Sequence, residues 1–159
     1  IIEEIKLNVD SLIIIAHGNG GDLEYSIDGI NWQASNQFTG ITKGQSYTVY
    51  VRENQCAVSS ISDVVYLNLR NFISPNGDAI NDIWKPIGVN TTLDVRIQIF
   101  NRYGNVVYQA EGANALNWNG LHNNKPLSSD SYWYLIEYID NQAVIKLKYQ
   151  GYITIKTSK

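Results

Sequence analysis

A chain of 159 residues has room for one β-sandwich of average size or two small ones, and 44% hydrophobic against 17% charged residues excludes a disordered polymer. Residues 1–69 carry a net charge of −5 and residues 70–159 a net +2; neither half has the basic stripe that nucleic-acid binding needs, so that partner class is excluded. No apolar run nears the roughly 20 residues that span a bilayer, and a single cysteine, Cys56, leaves no internal disulfide framework or multi-cysteine metal site.

The dominant period along the chain is two, which is the strand signature. Ile5, Leu7 and Val9 alternate with polar residues, and the apolar run Leu12–Ala16 suits one buried strand. Leu23, Tyr25 and Ile27 alternate up to Asp28-Gly29, a two-residue hairpin signal because both positions tolerate positive φ. Trp32 falls on the returning strand. Tyr47, Val49 and Val51 form another strand, and Val58 to Leu69 supplies one or two more. The lone Cys56 reads as a small buried hydrophobe or as a partner for a cysteine in another domain. These strands suffice for an immunoglobulin-like sandwich over residues 1–69.

Arg70 to Pro75 reads as the junction, tight because no Pro/Ser-rich linker is present. Beyond it Val95, Ile97 and Ile99 alternate with polar residues, and the turn Arg102-Tyr103-Gly104-Asn105 leads into Val106–Ala110. Tyr132 to Ile139 forms a long aromatic strand, which turns at Asp140-Asn141 and returns through Ile145, Leu147 and Tyr149. Gln150-Gly151 interrupts the alternation as a bulge would, and Ile153 and Ile155 finish the chain. No window gives an amphipathic helix. The expectation is all-β: two immunoglobulin-like sandwiches in tandem, residues 1–69 and 70–159.

Catalytic constellations are missing from the pattern. His17 and His122 lie in separate predicted domains and polar contexts, where a zinc site or a Ser/His/Asp relay has nothing to build on, so both read as surface loop residues. Gly18-Asn19-Gly20-Gly21 has the composition of a phosphate loop, but a strand follows it where such loops need a helix N-terminus, so it reads as a turn. The cluster Asn76, Asp78, Asn81 and Asp82 is richer. Four oxygen-bearing side chains within seven positions suit calcium; the competing and favoured reading is an Asx-turn, in which these side chains bond their own backbone amides. The four tryptophans, Trp32, Trp84, Trp118 and Trp133, would stack on sugar rings if exposed; as anchors of small cores, the favoured reading, they would be buried.

Several spaced motifs together resemble one family. Phe72-Ile73-Ser74-Pro75-Asn76-Gly77-Asp78-Ala79-Ile80-Asn81-Asp82 is similar to the opening of the gliding-motility-associated C-terminal domain, the type B sorting domain of the type IX secretion system. Ile99 to Tyr108, with Asn101, Arg102 and Gly104 in its turn, resembles the family's central strand-turn-strand. Trp118-Asn119-Gly120, Lys125-Pro126-Leu127, Tyr132-Trp133-Tyr134 and Gly151-Tyr152-Ile153-Thr154-Ile155-Lys156 follow in the family's order. Departures are Ala79 and Ser131 where glycine is common, Tyr103 for tryptophan and Asn119 for aspartate. Residues 1–69 resemble, less specifically, the short repeat of large gliding adhesins, through Tyr25-Ser26-Ile27-Asp28-Gly29, Trp32-Gln33, Phe38-Thr39-Gly40-Ile41, Gly44, Tyr47-Thr48-Val49 and Cys56.

The resemblance implies a function without chemistry on the cargo. The chain is expected to be the C-terminal secretion signal and surface-retention domain of a larger cell-surface adhesin-like protein of a Gram-negative bacterium. Its implied partners are the outer-membrane type IX translocon and a porin-like outer-membrane protein. The implied sorting motif is Pro75, Asn76, Gly77, Asp78, Asn81, Asp82, Asn101, Arg102, Gly104, Trp118, Gly120, Gly151, Ile153 and Ile155. The terminal strand is expected at a sheet edge, where a partner strand could add to it, with the Asn101–Gly104 turn as the next candidate. The alternative is a carbohydrate-binding module at the end of a secreted hydrolase.

Overall fold

The structure is a computed structural model that describes residues 1–87, 94–138 and 146–157. It is all-β, with no helix among the described residues. The strands are β1 (Ile2–Leu7), β2 (Ser11–Ala16), β3 (Leu23–Ser26), β4 (Gln37–Thr39), β5 (Ser46–Glu53), β6 (Cys56–Val65), β7 (Phe72–Ile73), β8 (Val95–Phe100), β9 (Val106–Gly112), β10 (Leu121–His122), β11 (Lys125–Pro126), β12 (Asp130–Tyr138) and β13 (Lys146–Ile155). The chain divides into two compact units, Ile1–Leu67 with Gln142–Lys148, and Asn68–Asn141 with Tyr149–Lys159. The expected turn at Asp140-Asn141 and the expected strand residue Ile145 lie outside the described residues.

The first unit carries two antiparallel arrays, β4-β2-β1 and β3-β5-β6. The period-two pattern buries Ile2, Ile5 and Leu7 on β1, Leu12 and Ile14 on β2, and Val49 and Val51 on β5. Tyr66, 1% exposed, donates its hydroxyl to the Asn8 carbonyl in the β1–β2 turn. Burial there pushes its phenol up to about 12, so it stays a neutral donor. Two local expectations are corrected. Asp28-Gly29 is not a two-residue hairpin turn: the Asp28 carboxylate accepts from the amides of Ile30 and Asn31, both 2.8 Å, and closes a longer loop before Tyr25 bridges Gln33. Cys56 is exposed, because it opens β6 directly after Asn54 and Gln55, both at positive φ.

In the second unit β12, β8 and β9 run antiparallel in that order, and β13 lies beside β12. β7 lies parallel to the end of β13, with Thr154 opposite Phe72 and Ile155 opposite Ile73. Val95, Ile97 and Ile99 of β8, Tyr132, Tyr134 and Ile136 of β12, and Tyr149, Ile153 and Ile155 of β13 fill the core. The β8–β9 connection follows hairpin chemistry: the Asn101 amide donates to the Asn105 carbonyl at 2.9 Å, Gly104 takes φ 78°, and the register shifts between Ile99 and Phe100. That is a three-residue loop closed by a glycine bulge. A second hairpin, β10–β11, turns on Asn123 and Asn124 at φ 50° and 60°. Asn-Asn is a usable signal for a turn needing two positive φ values, and the strand pattern alone passed over it.

Gly151 is a packing position. β13 is a strand from Lys146 through Ile155, and a Cβ on Gly151 would lie 2.7 Å from Cζ of Tyr134. The tyrosine has little room to withdraw, being 9% exposed with its ring 5.0 Å from that of Trp84. Gly151→Ala is therefore expected to cost about 1–3 kcal/mol through overpacking, read as a lower denaturant midpoint at unchanged m-value. An unchanged midpoint would mean that Tyr134 moves freely.

Candidate functional site

The opening motif is a loop built by side-chain acceptors. Leaving β7, Ser74 donates its amide to the Asn81 carbonyl at 2.9 Å, which pins the ends of the loop together. Inside it the Asp82 carboxylate accepts from the amides of Asn76 (2.8 Å), Gly77 (3.1 Å) and Ala79 (2.8 Å). These bonds, that from Asn76 foremost, hold the Asp82 carboxyl below the usual carboxylate range. Asp78 accepts from the Ile80 amide at 2.7 Å and from the Asn76 side-chain amide at 2.9 Å, while the Asn76 oxygen accepts from the Asp78 amide at 3.0 Å. Arg70 donates to the Asn81 side-chain oxygen. The four proposed calcium ligands are thus adjacent, with their oxygens directed at N–H donors in an Asx-turn network. Among the described residues no group of three or more His, Cys, Asp or Glu side chains is placed to hold a metal ion.

Further along, the motifs converge on Gly120. A Cβ there would lie 3.2 Å from Cγ of Pro75, 3.4 Å from Cδ1 of Ile73 and 3.7 Å from Cδ1 of Ile155. Opening loop, Trp-Asn-Gly segment and terminal strand therefore meet at one point. Trp118 and Trp84, 1% and 0% exposed, bridge each other through backbone bonds of 2.7 and 3.1 Å. Each indole N–H is satisfied, Trp84 by the Arg70 carbonyl at 2.6 Å and Trp118 by the Leu121 carbonyl at 3.1 Å. Tyr108 and Tyr132 flank Trp118 at centroid distances of 5.7 and 6.3 Å. Asn119 accepts from the Leu121 amide at 3.2 Å, a turn that asparagine makes as well as aspartate.

The expectation of four core tryptophans holds for Trp84 and Trp118 only. Trp133 is 49% exposed on the outward side of β12, opposite Phe100. Trp32 is half-buried, with the Arg52 guanidinium 4.1 Å above its ring. The histidines also separate. His17 is exposed and pairs with Glu3 at 2.8 Å, as a surface residue should. His122 lies on β10, half-buried, with Nδ1 2.7 Å from the Val107 carbonyl.

The expectation that the terminal strand lies at an open sheet edge is corrected by the pairing. The amides of Thr154 and Lys156 already donate to the carbonyls of Asn71 (2.8 Å) and Ile73 (3.0 Å), so β7 occupies the edge expected to be open. The β8–β9 turn remains outside. Its scaffold is Asn101, whose side-chain oxygen accepts from the amides of Tyr103 and Asn105, both 3.0 Å. Arg102 donates through Nε and Nη2 to Asp130 at 2.8 and 2.6 Å, and Tyr103 is 80% exposed. The Asp130 carboxyl is held below the usual range, first by the Ser131 amide and then by Arg102.

The aromatic and glycine-rich motifs thus build the core and turns of an all-β domain. The model of the CHU_C type IX secretion signal domain matches residues 67–155, more than half of the chain, and the chain belongs to that family. The family is a secretion signal, not a catalytic domain. A domain of this family marks a protein of Gram-negative Bacteroidetes that is secreted or displayed at the surface. No curated protein matches the chain. Among solved structures, dimeric latent PorU from Porphyromonas gingivalis is similar at 11% identity and a TM-score of 0.38, over 99% of this chain and 19% of that one. SGBP-B of the Bacteroides ovatus mixed-linkage glucan utilization locus, in complex with a mixed-linkage heptasaccharide, is similar at 13% identity and 0.28, over 98% of this chain and 43% of that one.

Ala79 occupies φ 65°, the left-handed region that glycine favours. Ala79→Gly is therefore expected to stabilise the fold by up to about 1 kcal/mol, net of the glycine's added unfolded-state freedom, measured as a raised denaturant midpoint. Because amide donors already face the loop oxygens, excess calcium and chelator are expected to give the same melting curve. A melting temperature that rises with calcium and falls back with chelator would establish the cation site instead.

Proposed function

We propose that the chain is the C-terminal secretion signal and surface-retention region of a large cell-surface adhesin-like protein, recognised by the outer-membrane type IX translocon and retained by a porin-like outer-membrane partner. In this reading residues 1–69 form an immunoglobulin-like adhesin-repeat spacer, and residues 70–159 form an immunoglobulin-like sorting domain. One observation carries the assignment of roles within the motif. Trp118, Gly120, Ile153 and Ile155 are buried, Gly151 sits beneath Tyr134, and Pro75 packs near Gly120, whereas Arg102 projects on a rigid turn beside the exposed Tyr103. Buried residues build the signal; exposed ones are what a partner can touch. Tyr and Arg are also the residue types that dominate protein recognition sites.

The test is a periplasmic reporter fused to all 159 residues, since Gln142–Lys148 group with the first unit. Arg102→Ala combined with Tyr103→Ser is expected to keep the melting temperature within about 2 °C, because exposed positions contribute little to stability, and to abolish surface delivery. Normal delivery of the folded double variant would remove the turn from consideration. A second reading, a carbohydrate-binding module ending a secreted hydrolase, draws on the exposure of Trp133 (49%) and Tyr152 (43%). Retardation of the chain in polysaccharide-containing gels, lost in Trp133→Ala, would favour it.

A further inference from the structure

Three Asn-Gly pairs occur in the sequence, Asn19-Gly20, Asn76-Gly77 and Asn119-Gly120. This dipeptide is the most prone to spontaneous deamidation, because glycine has no side chain to hinder its nitrogen. In that reaction the glycine nitrogen attacks the asparagine Cγ, a new N–C bond forms, the Cγ–Nδ2 bond breaks and ammonia leaves with the proton. Water then opens the cyclic imide to aspartate or isoaspartate. Two freedoms are needed: the glycine N–H must be released, and the asparagine side chain must turn back onto it.

Asn76-Gly77 has neither freedom. The Gly77 amide donates to Asp82 at 3.1 Å, and the Asn76 side chain is held at both ends by Asp78, at 2.9 and 3.0 Å. Asn119 is intermediate: its side-chain oxygen is held by the Leu121 amide, and Gly120 is buried beneath Pro75, Ile73 and Ile155. Asn19-Gly20 has both freedoms. Glu53 Oε1 accepts from the Asn19 amide at 2.8 Å and the Gly21 amide at 2.6 Å, but the Gly20 amide between them has no acceptor among the described residues. The Asn19 side chain has no hydrogen-bond partner among the described residues, and the space around Gly20 is open to 4 Å. Both residues are exposed.

We propose that Asn19 is the chain's site of spontaneous deamidation, and that Asp78 and Asp82 protect Asn76-Gly77 in the sorting loop from the same reaction. The protection gives these two carboxylates a role that calcium does not require. Conversion of Asn19 places a second carboxylate beside Glu53, which already holds the loop, so like-charge repulsion loosens residues 18–21.

The experiment ages the intact 159-residue chain at mildly alkaline pH and follows each Asn-Gly peptide by mass spectrometry. Asn19 is expected to convert at least about tenfold faster than Asn76, the factor imposed by one or two hydrogen bonds of ordinary net strength. In concentrated urea the two rates should converge, because the sequence context is then all that remains. Asp82→Asn should raise the Asn76 rate several-fold and leave Asn19 unchanged. Equal native rates, or a native ratio that survives in urea, would overturn the proposal.

Discussion

Loop amides without a ladder partner must still be satisfied, and in this chain a few short polar side chains do that work. Water can satisfy an exposed loop N–H in many geometries, whereas a side-chain oxygen aimed at it does so in one, and that choice fixes the loop's conformation. Asp82 supplies such oxygens for the amides of Asn76, Gly77 and Ala79 in the opening motif. Asn101 supplies them for the β8–β9 turn, Asp28 for the loop after β3, and Glu53 for the glycine-rich turn after β2. The depressed carboxyls of Asp28, Glu53 and Asp82 are the electrostatic trace of this arrangement: several N–H dipoles point at each and favour its charged form. A cation would compete with those dipoles for the same oxygens, which is why an oxygen-rich loop is not by itself a calcium loop.

Given closed loops, the second unit gains its core from rings and from missing side chains. Trp84 and Trp118 each satisfy their indole N–H on a backbone carbonyl, so their burial leaves no polar debt. Gly151 leaves room for Tyr134 and Gly120 leaves room for Pro75, Ile73 and Ile155. Neither glycine could be replaced without moving packed atoms, although only Gly120, at φ 74°, also needs glycine's backbone freedom.

Much of this was legible because strands write a period of two into the sequence. β5 and β8 fall where alternation placed them, β1 does so short of Val9, β2 and β12 fall on the apolar and aromatic runs, and the Arg102–Asn105 turn falls between its strands. What escaped depended on facts that alternation does not carry. The parallel pairing of Ile73 with Ile155 joins residues far apart in sequence, and it turned an expected edge into an occupied one. Trp133 lies outward while Tyr132 and Tyr134 lie inward, a matter of phase within an aromatic triplet. The positive φ of Ala79 is not carried by alanine itself, which normally argues against one; only the glycine common at that position in the resembled family pointed to it.

A signal that serves a passenger must carry its information in its own fold, and the residues here separate by what they can reach. Motif positions such as Trp118, Gly120, Gly151 and Ile153 identify the family because the fold needs them, but burial keeps most of that set from any partner. Substituting them destabilises the fold, so a loss of export would report folding as readily as recognition, and such variants cannot locate the surface that is read. Exposed residues on rigid supports can. Arg102 is such a residue: Asp130 holds its guanidinium, and Asn101 holds the turn beneath it. An exposed ion pair adds little stability, so its loss separates recognition from folding, which loss of a buried tryptophan cannot do.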